Sequence, residues 1–197
     1  MDVQATSTRI LLFNANNLVL LGDKFATVGI SAPSLEATLC SISIAQAHLG
    51  HARFFYRLCE QVNITYPCTD TTELDGSLKT IYEINDWVQL MTISIAFHLA
   101  METMLELEVN VNLLVKGKIE KLRKEQKQYM EYLSSWVVIL HQDHENIRCL
   151  LLDAYSTFKI EIRHIFNWLV EDADCCNDIL SIFEQKFHTI LSASKVA

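Results

Sequence analysis

Apolar residues return every three or four positions along most of this chain. Val115, Ile119, Leu122, Tyr129, Leu133, Trp136 and Leu140 keep that spacing, with Gln126 filling the one gap. Cys40, Ile44, His48, His51, Phe55 and Leu58 keep it earlier in the chain. A period near 3.6 places such residues on one stripe of a helix, and long stripes suit helices packed lengthwise in a bundle. The pattern predicts six helices. The first runs from about Thr6 to Val28 and the second from the Ser31-Ala32-Pro33-Ser34 stretch to about Gln61. Pro33 suits a first turn, and either serine can cap it. Val62 to Ser77, with Pro67, Asp70 and Asp75-Gly76, reads as the one real loop. A third helix covers about Ile84 to Glu108 and a fourth about Asn112 to His141. Asp143 is placed to cap a fifth, ending near Leu169. Asp172 or Asp174 is placed to cap a sixth, fraying near Ser192. The expected fold is all-α: an antiparallel four-helix bundle of the first four helices with additional C-terminal helices, residues 1–197 forming one domain. Leu39, Ile42, Leu49, Ile95, Leu122, Leu133 and Trp136 are its expected core.

Composition supports this. With 5 glycines and 2 prolines in 197 residues, the chain lacks the turn-formers that an all-β fold of this size needs. Half of it is hydrophobic, so a substantial core can form. The net charge of −8 argues against a nucleic-acid role. The basic stretch Lys116 to Lys127 is interleaved with Glu120 and Glu125 and reads as a solvated helix face. Cys40, Cys59, Cys68, Cys149, Cys175 and Cys176 show no C-x-x-C pair and sit mostly among apolar residues. They read as reduced core fillers in a cytoplasmic protein. No signal peptide is read at Met1-Asp2-Val3-Gln4, so the Asn63-Ile64-Thr65 acceptor pattern carries little weight. The uncharged run Trp87 to Met101 reads as too short and too polar to span a bilayer.

Bundles of this kind do redox chemistry through a di-iron centre, which takes a Glu from each of two helices and a Glu-x-x-His pair from each of the other two. The inward seams do not supply that set. The second helix offers His48-x-x-His51, and the fourth offers Gln126-x-x-Tyr129. The third presents Ala96 and Ala100, and the first is apolar through Leu18, Val19, Leu20 and Leu21. One Glu-x-x-His does occur, Glu161-Ile162-Arg163-His164 on the fifth helix, but without a second pair it reads as a surface ion-pair region with Arg163 and Glu145. His48, His51 and His98 are the weak metal candidates; the plainer reading is buried imidazoles bonded to their neighbours. His141, Asp143 and His144 gather at a helix junction, where capping accounts for them. No G-x-S-x-G, phosphate-cradling glycine loop or zinc-type cysteine spacing occurs, so no catalytic residue and no cofactor are assigned.

Three stretches carry a resemblance. They are Leu18-Val19-Leu20-Leu21-Gly22-Asp23, then Ala32-Pro33-Ser34-Leu35-Glu36, then Ile44-Ala45-Gln46-Ala47-His48-Leu49-Gly50-His51-Ala52-Arg53-Phe54-Phe55-Tyr56. Together they resemble the phenylacetic acid catabolic protein family, and more closely its non-catalytic, PaaC-type subunit of phenylacetyl-CoA epoxidase. Asn85-Asp86-Trp87 and Lys118 through Trp136 resemble that family's third and fourth helices, so the likeness covers about Leu12 to Phe158. It implies a ferritin-like fold. It also implies that the catalytic subunit's two Glu-x-x-His pairs fall at His48/His51 and Gln126/Tyr129, with its remaining acidic ligands near Leu18 and Ala96. Only His51 keeps a ligand type. The chain departs from the family in a reduced loop before Asp86, in Val28-Gly29-Ile30-Ser31 where a Trp-containing stretch is usual, and in Ala47 where an acidic residue is usual. The resemblance implies a scaffold subunit that packs on a catalytic ferritin-like partner. The rivals are a metal-binder or oxygenase-type protein using a rearranged His48/His51/His98 site, and a stand-alone homodimeric bundle.

Overall fold

The computed structural model describes residues 3–60, 76–111, 113–170 and 173–193. Among these residues 91% are helical and no strand occurs. The elements are α1 (Val3–Thr27), a 3-10 turn (Gly29–Ser31), α2 (Leu35–Glu60), α3 (Lys79–Tyr82), α4 (Trp87–Val111), α5 (Leu113–Gln142), α6 (Glu145–Val170) and α7 (Ala173–Ala193). The six long helices are those the periodicity predicts; α3 is a single added turn. The chain forms two compact units, one ending at Glu83 and one beginning at Ile84.

In the first unit α1 and α2 pack lengthwise and antiparallel. Asn16 meets Tyr56, Phe25 meets His48 and Gly29 meets Ser41, so partner numbers fall as α1 residue numbers rise. Ser34 caps α2: its Oγ accepts from the Ala37 N–H at 3.1 Å. The backbone amide at the helix start, and then the Ser34 hydroxyl, hold the Glu36 carboxyl below its ordinary range. Gly29 is required by proximity, because a Cβ there would lie 2.5 Å from Ser41 Cβ. Buried asparagines pin the return of the chain onto α1. Asn17 Nδ2 donates to Phe13 O at 2.8 Å and to Gly76 O at 3.2 Å, while its Oδ1 accepts from Leu78 N at 2.8 Å. Gly76 takes φ +80°, a left-handed conformation that glycine adopts without a Cβ penalty. Lys24 Nζ then donates to Tyr82 O at 2.7 Å, at the far end of α3.

In the second unit α4 is the central element, in contact with α5, α6 and α7. Residues 90–101 are buried without a break. The start of α4 is capped by Asp86, whose Oδ1 accepts from Gln89 N at 2.8 Å, and Gln89 Oε1 accepts from Asn85 N at 3.0 Å. This cap sets the helix start at Trp87 rather than near Ile84. Pairings of Trp87 with Trp136, His98 with Tyr129 and Glu106 with Arg123 run antiparallel along α4 and α5. Tyr155 of α6 stacks on Phe187 of α7 at 3.7 Å, and Lys159 pairs with Glu184 at 2.8 Å. Lys186 reaches from α7 to Glu102 at 3.2 Å and Glu106 at 3.4 Å.

Ile95, Leu122 and Leu133 are buried as expected, and Trp136 is half-buried. Leu39, Ile42 and Leu49 are not in the core; all three are exposed. They lie on the opposite side of α2 from the buried series Ala37, Ser41, Ile44, His48, Phe55 and Leu58, because α2 carries apolar residues on two faces. The basic face of α5 is solvated as expected, with Lys121–Glu125 at 3.9 Å and Lys127–Glu131 at 4.0 Å. His144, not Asp143, holds the cap position of α6: its carbonyl accepts from Ile147 N and Arg148 N, while Asp143 Oδ1 accepts from His144 N at 2.7 Å. The expected loop up to residue 75, Cys68, and the caps at Asp172 and Asp174 lie outside the described residues or side chains, as does the Cys175 side chain. Cys40 and Cys149 are thiols. Trp87–Glu106 is long and apolar enough to cross a membrane by length and composition, which the shorter run read from sequence was not; 89% of its apolar window is buried, as in a core helix.

Candidate functional site

The sequence places candidate chemistry at two helix pairs, and each pair lies within one unit. In the first unit Leu18 of α1 and His48 of α2 are fully buried, and His51 nearly so. The i, i+3 spacing aims both imidazoles from one face of α2. The His48 ring lies 5.2 Å from the Phe25 ring at an interplanar angle of 55°. Each imidazole has further interactions with its surroundings.

In the second unit Ala96, His98, Gln126 and Tyr129 are all buried. His98 of α4 and Tyr129 of α5 meet with ring centroids 5.1 Å apart, and the Phe97 ring lies 5.7 Å from that of His98. Burial pushes the Tyr129 phenol well above its ordinary range; the Gln126 amide opposes this, and the Glu125 charge adds to it. Tyr129 is therefore a neutral hydroxyl at any physiological pH. Sequence spacing put Ala96 and Ala100 on the inward seam of α4, and His98 is the α4 residue in ring contact with Tyr129. Because α4 is buried on all its faces, its sequence has no periodic mark of which one meets α5.

Glu161 is half-buried, and His164 and Arg163 are exposed. The expected ion-pair region with Glu145 does not form there. Glu145 pairs with Arg148 at 3.7 Å, one turn away, since eighteen helical positions put Arg163 about 27 Å further along α6. Among the described residues there is no group of three or more His, Cys, Asp or Glu side chains placed to hold a metal ion.

Sequence reasoning missed the asparagines of α1. Asn14, Asn16 and Asn17 are buried. Asn14 Nδ2 donates to Ile10 O at 2.8 Å, Asn16 Oδ1 accepts from the Tyr56 hydroxyl at 2.8 Å, and Asn17 clamps residues 76–78. The signal was available: asparagine is a poor helix-interior residue, and three within four positions of an apolar helix imply buried hydrogen-bonding duty.

A family model described as phenylacetic acid catabolic protein matches residues 2–182 of the chain. No curated protein matches it.

Proposed function

The chain belongs to the phenylacetic acid catabolic protein family, a family of ferritin-like helical bundles, and on that premise we propose that it is a non-catalytic, PaaC-type scaffold subunit of a phenylacetyl-CoA epoxidase complex. The observation that carries the reading is the chemistry of the buried side chains at the ligand positions. They are Leu18, His48, His51, Ala96, Gln126 and Tyr129, with no carboxylate among them. A di-iron centre carries several positive charges and needs anionic oxygen donors to balance and bridge them. Two imidazoles, an amide and a neutral phenol do not fit that requirement. The phenol's raised pKa strengthens the point, since a phenolate is the one anion this set could otherwise supply.

The rest of the proposal follows from the scaffold role. The partner is a catalytic ferritin-like subunit, the location is the cytoplasm, and no cofactor is assigned. The thiols at Cys40 and Cys149 and the burial of the most apolar helix support that location. The single-domain reading belongs to the same proposal.

Affinity purification from the native host tests the partner. Recovery, in fixed stoichiometry, of a ferritin-like chain that keeps both Glu-x-x-His pairs supports the scaffold reading; recovery of this chain alone overturns it. Elemental analysis after expression in iron-rich medium tests the ligand positions. Two irons per chain would return the enzyme reading to first place.

A further inference from the structure

The outward face of α2 is not a normal solvent face. Its exposed positions are Leu35, Glu36, Leu39, Ile42, Ser43, Gln46, Leu49, Gly50, Arg53 and Arg57. Leu35 is 70% exposed, Leu39 56%, Ile42 44% and Leu49 40%, and Ile30 at 69% extends the patch into the preceding turn. The series 35, 39, 42, 46, 49, 53 alternates steps of four and three. That is the heptad seam of a helix awaiting a second helix, with one polar residue, Gln46, at its middle. Beside it, Ser43 and Gly50 are small, and a Cβ at Gly50 would meet nothing within 4 Å. Packing among the described residues therefore does not explain Gly50, although a glycine inside a helix is a poor choice on propensity alone.

We propose that this face is a self-association surface, on which α2 of a second copy of the chain docks antiparallel about a two-fold axis. The charges on the face choose this occupant and this orientation. The N-terminal end carries Glu36, and the C-terminal end carries Arg53 and Arg57. The two ends lie about 31 Å apart along the helix. A second copy in antiparallel orientation sets each Glu36 against the partner's Arg53 and Arg57, so both ends of the seam are complementary. A parallel copy would set glutamate against glutamate and arginine against arginine. The antiparallel register with position numbers summing to 88 puts Leu39 on the partner's Leu49 and Ile42 on the partner's Gln46. It also lays the aliphatic stem of Arg53 over the partner's Leu35. An interface of this kind is isologous, and a two-fold closes it at the dimer. The surface is separate from the ligand positions, so this inference stands or falls apart from the scaffold reading.

Sedimentation equilibrium of the full chain from about 1 to 100 µM tests it, since one helix pair gives a modest interface with micromolar association. The wild type should approach a dimer at the upper end. Leu39→Glu with Leu49→Glu should raise the dissociation constant by roughly tenfold or more, because two buried charges per chain would replace the Leu39–Leu49 contacts of the seam. The charges test orientation independently of the apolar seam. Glu36→Arg alone, and Arg53→Glu with Arg57→Glu, should each weaken the dimer. All three changes in one chain should restore it, because both ends are then complementary again. Helical circular dichroism, unchanged in every variant, shows that these exposed positions do not unfold the chain. A wild type that stays monomeric throughout the range overturns the proposal, and so does a dimer indifferent to Leu39→Glu with Leu49→Glu. A dimer unaffected by Glu36→Arg overturns the antiparallel docking.

Discussion

Asn17→Ala tests the joint between α1 and the segment that enters α3. The wild-type amide makes three hydrogen bonds, to Phe13 O, Gly76 O and Leu78 N. The Phe13 carbonyl is on α1 itself and keeps its helical partner, so its loss counts for little. The other two bonds are cross-segment. Leu78 is fully buried, and its N–H would lose a 2.8 Å acceptor. An orphaned buried donor costs about 1–3 kcal/mol. Gly76 is only half-buried and its bond is longer, so solvent can replace part of it, at about 0.5–1 kcal/mol. The sum predicts a loss of about 1.5–4 kcal/mol, read from urea unfolding followed by circular dichroism. Hydrogen exchange should speed selectively at residues 76–82, because the clamp ties down that segment. Asn17→Asp adds a sign test. Its carboxylate would face two carbonyl oxygens in a buried site, so its folded-state pKa should rise above the unfolded value near 3.9. The folded state then holds the extra proton, and the variant should lose stability as pH rises from about 3.9 through the raised folded-state pKa, levelling off above it. A loss below about 0.5 kcal/mol in Asn17→Ala, with unchanged exchange at 76–82, would refute the clamp.

Other expectations follow from burial and proximity. Leu133→Ala, on the buried seam of α5, should cost about 2–5 kcal/mol, while Leu39→Ala on the outer face of α2 should change monomer stability by under about 0.5 kcal/mol; equal effects in chemical unfolding would mean that the core is drawn on the wrong side of α2. Gly29→Ala should cost about 1–3 kcal/mol, because its Cβ would overlap Ser41 and the 3-10 turn would have to back away from α2; an unchanged midpoint would contradict that close approach. Tyr129 and Tyr155 are both pushed above the ordinary phenol range by burial first, with the charge of Glu184 adding at Tyr155. A raised folded-state pKa means that this contribution is complete below pH about 10 and is lost as pH rises beyond it. Phenolate absorbance in folded Tyr129→Phe should therefore match that of wild type near pH 10, and a missing normal titration would refute the buried phenol.

How much of this was legible beforehand can be judged element by element. The long helices could be read because apolar residues recur at helical spacing, most fully in α2 and α5, and the predicted seam of α5 is buried wherever its side chains are described except at Trp136, which is half-buried. In α2 the same rule pointed two ways. The series through Ile44, His48 and Phe55 is buried, while the series through Leu39, Ile42 and Leu49 is exposed, and both are apolar. Periodicity finds a hydrophobic stripe but does not say whether this chain or another body covers it. The short α3 escaped notice because four residues are barely one turn. Reading by helical faces accounts for the burial of Leu18, His48, Ala96, Gln126 and Tyr129. It missed the meeting of His98 with Tyr129, because a helix buried on every side has no amphipathic phase to read.

That last property has a consequence for how the sequence can drift. Residues 90–101 of α4 form twelve consecutive buried positions. On α5, exposed positions such as Glu120, Lys124, Lys127 and Glu131 alternate with buried ones, so neutral replacement has somewhere to occur every turn. On α4 it has nowhere: each side chain is already in contact with neighbours, and a change in volume at any one is felt by the helices packed around it. Saturation mutagenesis should find tolerance rising and falling with a helical period along α5 and staying flat and low along α4. Change in α4 would then come through coupled replacements with α5, α6 and α7, making it the slowest-moving stretch of the second unit and the one that keeps the record of its ancestry longest.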